Sequence, residues 1–411
     1  MAQSEITPLE RARGEAERAG RLVDLIDTSF HRNGLRFPAR LLQEPTARYL
    51  EQRCYAPDAK GACRARQSIA DFYGEAGCLV DPDQIVITAS ASESYSLLFQ
   101  CCASSGDEVL LPAPGYPLFE HVAALARLTP RHYRLPPENG FALSATEIRR
   151  ALTARTRFVV LISPNNPTGS IASEAECEAL LETCAAHGVQ LICDEVFSDL
   201  IYNPANGRSG GSADERTAAT DYPGAPAVDR LPRPLAHAAE AGVVVHTING
   251  VSKLFASPDL KLSWIVTSGP PDRVAEAMAS LELANDMYLN CSPLAQELLP
   301  VLFADGGSFR SGLKRALKER REILLRGARR VPRIEVIEPA GGIHAVLRLT
   351  GGGDDERFAL QLLRRTGVHL HPGYLYRFPD DGYLVCSFLK EPSALQQGLR
   401  LLEQFMREPM S

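Results

Sequence analysis

Three short runs constrain this chain more than any other feature: Phe158-Val159-Val160-Leu161-Ile162, Val189-Gln190-Leu191-Ile192-Cys193 and Val243-Val244-Val245. A strand with one wet face alternates apolar with polar residues. A run without that alternation must be covered on both sides, as parallel strands flanked by helices are. Strand-like and helix-like patterns alternate from about residue 65 to residue 284, which describes an α/β domain around a mostly parallel sheet. Such sheets bind ligands at the carboxyl ends of their strands, so the polar residues that close each run become candidates. After the first run come Ser163-Pro164-Asn165-Asn166-Pro167-Thr168-Gly169, after the second Asp194-Glu195, and after the third Asn249-Gly250-Val251-Ser252-Lys253. A lysine behind small residues at the end of a buried strand loses pKa by desolvation, and its amine becomes available for carbonyl chemistry. A buried aspartate must be paired or hydrogen-bonded, or it takes up a proton. Plainer roles exist for each: lysines near strand ends often reach solvent, aspartates cap helices, and Asn166 and Tyr116 sit in sequences that favour turns on backbone grounds alone.

The length of 411 residues allows a large core and two domains. A charge content of 23 % beside 45 % hydrophobic residues argues against both a disordered and a membrane-embedded chain. The formal net charge of −6, with no basic face, gives no reason to expect nucleic acid. The ten cysteines show no C-x-x-C spacing and read as reduced core thiols. No apolar run approaches the ~18–20 residues of a membrane span, so a soluble, cytoplasmic protein is expected. The charged, periodic stretch 8–24 predicts a helix. A second helix is predicted over 309–330, with strands at Ile334–Ile337 and over 346–349, and these would form a smaller α+β domain. The expected division is a large domain over 45–286 and a small one from 1–44 and 287–411. Residues 203–237, rich in Gly, Pro, Ala and Asp, form a connection long enough to be either a functional lid or a disordered insert, and the disordered insert is the reading taken first. His31, His344, His369 and His371 have no spacing suited to a closed metal site.

Five segments in order carry a family resemblance: Gly61 to Arg66 with Ile69-Ala70-Asp71-Phe72-Tyr73, Pro114-Gly115-Tyr116-Pro117, the Ser163 to Gly169 turn, Asp194-Glu195-Val196-Phe197, and Ser252-Lys253. Over residues 33–388 the chain resembles the fold-type I pyridoxal-phosphate enzymes of the class I/II aminotransferase group, which are aspartate aminotransferase-like. The resemblance implies that Lys253 binds pyridoxal phosphate through a Schiff base and then serves as the proton-transfer base. It implies that Asp194 pairs with the protonated pyridine nitrogen, Asn166 donates to the phenolic oxygen, and Tyr116 stacks on the ring. The phosphate would lie at the helix start after Thr88-Ala89-Ser90, contacted by Ala91 and Ser92, with Ser252 and Lys261 nearby. Tyr55 would reach the phosphate of a neighbouring subunit in a homodimer with shared sites, and residues 290–293 would border it. Transamination of a small-molecule amine or amino acid is the reaction expected first. Elimination, replacement or carbon–carbon bond formation on the same cofactor is the alternative.

Four departures bear on substrate and cofactor. Phe197 stands where the family usually has a tyrosine, Gly250 where it has a serine, and Lys261 where it has an arginine. Val385, two residues before Ser387-Phe388, occupies the place of the arginine that clamps the substrate carboxylate. Arg377 is the nearest substitute by sequence, with Arg32 and Arg36 next. Asn33 and Gly34, in the stretch bordering the site, are further substrate-side candidates.

Overall fold

The computed structural model describes residues 6–53, 56–202, 230–289 and 291–408. Its strands are Val23–Asp24 (β1), Ile85–Thr88 (β2), Glu108–Ala113 (β3), Thr129–Arg134 (β4), Thr156–Ile162 (β5), Gln190–Asp194 (β6), Val245–Gly250 (β7), Ser263–Ser268 (β8), Ile334–Ile337 (β9), His344–Leu349 (β10), Val368–His369 (β11), His371–Pro372 (β12) and Tyr383–Ser387 (β13). Seven of them form one sheet in the order β2-β8-β7-β6-β5-β3-β4. It is parallel from β7 to β4, and only β8 runs against its neighbours.

The unbroken apolar character of β5 follows from this position. Phe158, Val160 and Ile162 pack on one face with Tyr95, Leu98 and Met278, whereas Val159 and Leu161 pack on the other with Ile148 and Leu180. Side chains two apart share a face, so a strand sandwiched between helices has no face left for polar residues. The sheet's edge strand β4 keeps Arg131, His132 and Arg134, which discourage pairing with another chain.

A second, antiparallel sheet of order β12-β13-β10-β9 is built from residues 334–387. Helices Gly307–Ala328 and Asp355–Thr366 and the strongly amphipathic Pro392–Arg407 pack against it. Val385 sits in mid-strand, fully buried, opposite His371 on one side and Val346 on the other.

The N-terminal helix is shorter than expected. It spans Pro8–Arg18, opened by a Thr7–Glu10 capping box, and it ends before Gly20 at φ +66°. The chain then pairs Val23 and Asp24 in parallel with Val368 and His369. The basic helix lies two residues earlier than expected, and β10 begins at His344, which places that histidine within the sheet. The expectation of a disordered insert over 203–237 does not hold at its C-terminal end: Pro234–His237 is a 3-10 turn, and Arg233 is anchored by Glu195. Its remainder, 203–229, lies outside the described residues. Among those residues no helix is long and apolar enough to cross a membrane.

Candidate active site

Strands β5, β6 and β7 end side by side, with Ile162 paired to Asp194 and Asp194 to Ile248. The chain leaves β7 through the short helix Val251–Leu254, which carries Ser252 and Lys253. A cavity of about 260 Å³ opens over these strand ends. Lys253 and Ser252, Asp194 and Phe197, Asn166, Tyr116, and Ala91 with Ser92 all line it. These residues are distributed from 91 to 253 in the chain, and the sheet order brings them to one wall.

Lys253 is half-buried, with its amine 5.4 Å from the centre of the Phe30 ring. Desolvation brings its pKa down to about 8, with the Asp194 carboxylate pulling the other way. Asp194 is buried as well and accepts hydrogen bonds from Tyr95 Oη at 3.0 Å and from the Val196 amide at 3.1 Å. Burial nevertheless raises its pKa to about 6, because neither donor carries a charge. The adjacent Glu195 is a different case: Arg233 pairs with it at 2.8 Å and lies 5.4 Å from the Tyr73 ring centre. Asp194 is thus a buried carboxylate to which no cationic side chain among the described residues bonds. The Asn166 amide is also unclaimed, its Oδ1 buried without a partner.

In the same cavity, Ser90 caps the helix Ala91–Cys101 by accepting from the Glu93 amide at 3.1 Å. Ala91 and Ser92, at the helix start where N–H groups lack helical partners, line the cavity, a setting that favours an anion. Ser263, on β8 directly opposite Gly250, lines the same cavity, its hydroxyl donating to the Asn249 carbonyl. Its presence explains Gly250, where a Cβ would lie 2.9 Å from both Leu262 O and Ser263 Oγ. Lys261 takes no part in this wall; it is exposed, with φ +52°. The Tyr116 turn is tied to the small sheet's loop by a bond from the Gly115 amide to Tyr376 O at 2.9 Å, and the ring meets Phe119 edge-on at 5.7 Å.

A carboxylate without its cation, a depressed lysine, an unclaimed amide and a serine-rich helix start form a donor set that fits a phosphorylated pyridine aldehyde. Pyridoxal phosphate therefore matches the residues present.

The expected substrate-side residues lie elsewhere. Arg377 is committed to Glu120, with Nη2 donating to Oε2 at 2.6 Å, and does not line the cavity. Asn33 is buried and spends its amide on Ser29 O at 2.7 Å, and Gly34 closes the same turn at φ +75°. Arg32 pairs with Asp27 at 2.6 Å. Tyr55 and Asn290 lie outside the described residues. Among the described residues lining the cavity, Lys253 is the one cation of the lysine or arginine type. A wider vestibule adjoins it, sharing Thr28, Lys253 and Pro258 as a common wall and carrying His369 and His371. Sequence reasoning missed Tyr95 and Ser263. Tyr95 stands one helical turn after Ala91, a spacing that puts both on one face once the helix start is known.

Known proteins share this chain's sequence pattern and fold. The sequence profile described as aminotransferase class I and II matches residues 38–390. A probable aspartate/prephenate aminotransferase of Thermus aquaticus is 28 % identical over 357 residues, covering 86 % of this chain and 84 % of that protein. The arginine–pyruvate transaminase of Pseudomonas aeruginosa is 28 % identical over 368 residues, covering 88 % and 85 %. Among solved structures, alanine aminotransferase from Pyrococcus furiosus superposes with a TM-score of 0.86 at 21 % identity, covering 98 % of this chain and 97 % of that one. A Thermus thermophilus aspartate aminotransferase double mutant superposes at 0.82 and 22 %, with the same coverage. These two structural likenesses speak for the fold.

Proposed function

The chain belongs to the aminotransferase class I and II family, and we propose that it moves an amino group between an amino acid and a keto acid, with pyridoxal phosphate bound in the cavity at Lys253. The observation that carries this reading is the meeting, in one cavity, of a desolvated lysine with a pKa of about 8 and a buried carboxylate that lacks a cationic partner. When bound there, the cofactor supplies an electron sink for the pair left behind as Cα loses its proton.

The chain's own residues have distinct tasks. Lys253 is the attachment point, and its Nζ takes the proton from the substrate Cα. A pKa of about 8 leaves about one amine in ten neutral at pH 7, against about one in three thousand for an ordinary lysine. Asp194 holds the proton on the ring nitrogen, and Tyr95 fixes the carboxylate that does so. The first-turn amides at Ala91 and Ser92 would bind the phosphate, with the Ser252 hydroxyl. Asn166 offers its amide to the phenolic oxygen, and because Phe197 has no hydroxyl it does so alone. Tyr116 covers the ring and keeps water off it.

We also infer a homodimer. Leu283, Met287, Tyr288 and Leu289, each more than half exposed, cluster at the end of helix Pro271–Tyr288 beside a depression lined by Tyr49, Gln52 and Arg53. An exposed apolar cluster of this kind favours contact with a second copy. Tyr55 would then serve the neighbour's site.

The test is to load the protein with pyridoxal phosphate, add single amino acids, and follow conversion to pyridoxamine phosphate with release of the keto acid. Conversion reversed by a keto acid is the expected result. Val385 favours a second reading, elimination or replacement, because substrate orientation there does not rest on an arginine. Release of ammonia without pyridoxamine phosphate would select it.

A further inference from the structure

In the small sheet His371 lies directly opposite Val385 on one side, and on the other His344 lies diagonal to it, opposite Ser387. Directly opposed and alternate residues share a face, so both imidazoles border the position where the family's arginine would stand. The Nδ1 of His371 is engaged with Tyr376 Oη at 3.0 Å. His344 differs: it is 7 % exposed, it lines the cavity with Lys253, and its ring makes no hydrogen bond to any described residue. Buried polar groups are nearly always hydrogen-bonded, and one that is not, in the wall of a cavity, is open to a ligand.

We propose, building on the cofactor reading above, that His344 anchors the carboxylate of an amino-acid substrate, donating a ring N–H in place of the arginine lost at Val385. Burial first, then the charges of Lys253 and His371, push the His344 pKa down to about 3. The ring is therefore neutral at physiological pH, with one N–H to donate and one nitrogen to accept. A neutral anchor holds a carboxylate more weakly than an arginine fork does. It also adds no positive charge beside Lys253, so it does not further disfavour protonation of that amine.

The test uses two small amines that bind through the same nitrogen. 2-Aminoisobutyrate carries a carboxylate and has no Cα hydrogen to lose; isopropylamine has a hydrogen in place of the carboxylate. Dissociation constants are read from the change each causes in the visible spectrum of the pyridoxal-phosphate-loaded protein. Wild type should prefer 2-aminoisobutyrate by about ten-fold or more, the range of a hydrogen bond to a charged group. In His344→Leu that ratio should fall toward one, and His344→Gln, which keeps a neutral donor, should retain part of it. Matching visible bands in the three loaded proteins keep folding and cofactor binding out of the comparison. Normal bands with an unchanged ratio in His344→Leu would overturn the proposal alone, as would a wild type that does not prefer the carboxylate. A wild type that takes up no pyridoxal phosphate would overturn the cofactor reading and this one with it.

Discussion

We predict that Asp194→Asn stabilises the cofactor-free protein while destroying its affinity for the cofactor. Asp194 is buried, its carboxyl sits at about 6 rather than 3.8, and its bonding partners are the neutral Tyr95 hydroxyl and Val196 amide. The folded state therefore holds this proton more tightly than the unfolded chain, and stability declines as pH rises from about 3.8 through about 6. A shift of about two units corresponds to about 3 kcal/mol by pH 8, and the exchange to a neutral amide of the same shape should recover about 1–3 kcal/mol of it. Most of that gain should be gone at pH 4, where the folded state keeps its proton and the unfolded chain has lost only part of its own. Reversible urea unfolding of cofactor-free wild type and variant at pH 8 and pH 4 measures this directly. An Asp194→Asn protein that is no more stable at pH 8 would refute the claim that this carboxylate lacks a charged partner. So would a gain that persists unchanged at pH 4.

Three further outcomes follow from the same geometry. Tyr95→Phe removes a donor that holds the Asp194 pKa down, so acid release of the cofactor should begin at higher pH than in wild type; a pH titration of the visible band measures it, and a shift to lower pH would contradict the assignment. Arg233→Met leaves Glu195 buried and unpaired and should cost about 3–5 kcal/mol in urea unfolding, with Glu195→Gln in the same protein restoring much of it. Gly250→Ala places a Cβ 2.9 Å from the Leu262 carbonyl and should lower the melting temperature, and adding Ser263→Ala, which relieves only the Ser263 Oγ contact, should recover part of the loss.

Much of the fold was legible because burial on both faces leaves a mark in the chain itself. The runs ending at Ile162, Cys193 and Val245 could not be surface strands, and the polar residues after them had to gather at one edge of the sheet. Lys253, Asp194 and Asn166 were visible for that reason. What stayed hidden depends on partners remote in sequence. Tyr95 reaches an aspartate 99 residues away, and Arg377 looked free until Glu120, 257 residues away, was found paired with it. Ser263 was obscured because its role depends on the register that sets it opposite Gly250. His344 was weighed only as one of four histidines near the mouth. Its place two residues before Val346 on a strand that also opposes Val385 is a fact of pairing, which periodicity does not encode. The end of the first helix was misjudged because charge periodicity ran on past Gly20, where the backbone turns left-handed and the helix stops.

The most direct measurement is chemical trapping at Lys253. Protein loaded with pyridoxal phosphate is reduced with borohydride, which turns a carbon–nitrogen double bond into a stable amine, and its peptides are then mapped by mass. The phosphopyridoxyl group should be found on the peptide bearing Lys253, and Lys253→Ala should lose both the group and the visible band. A label confined to other lysines, or a Lys253→Ala protein with an unchanged spectrum, would contradict the assignment of this cavity.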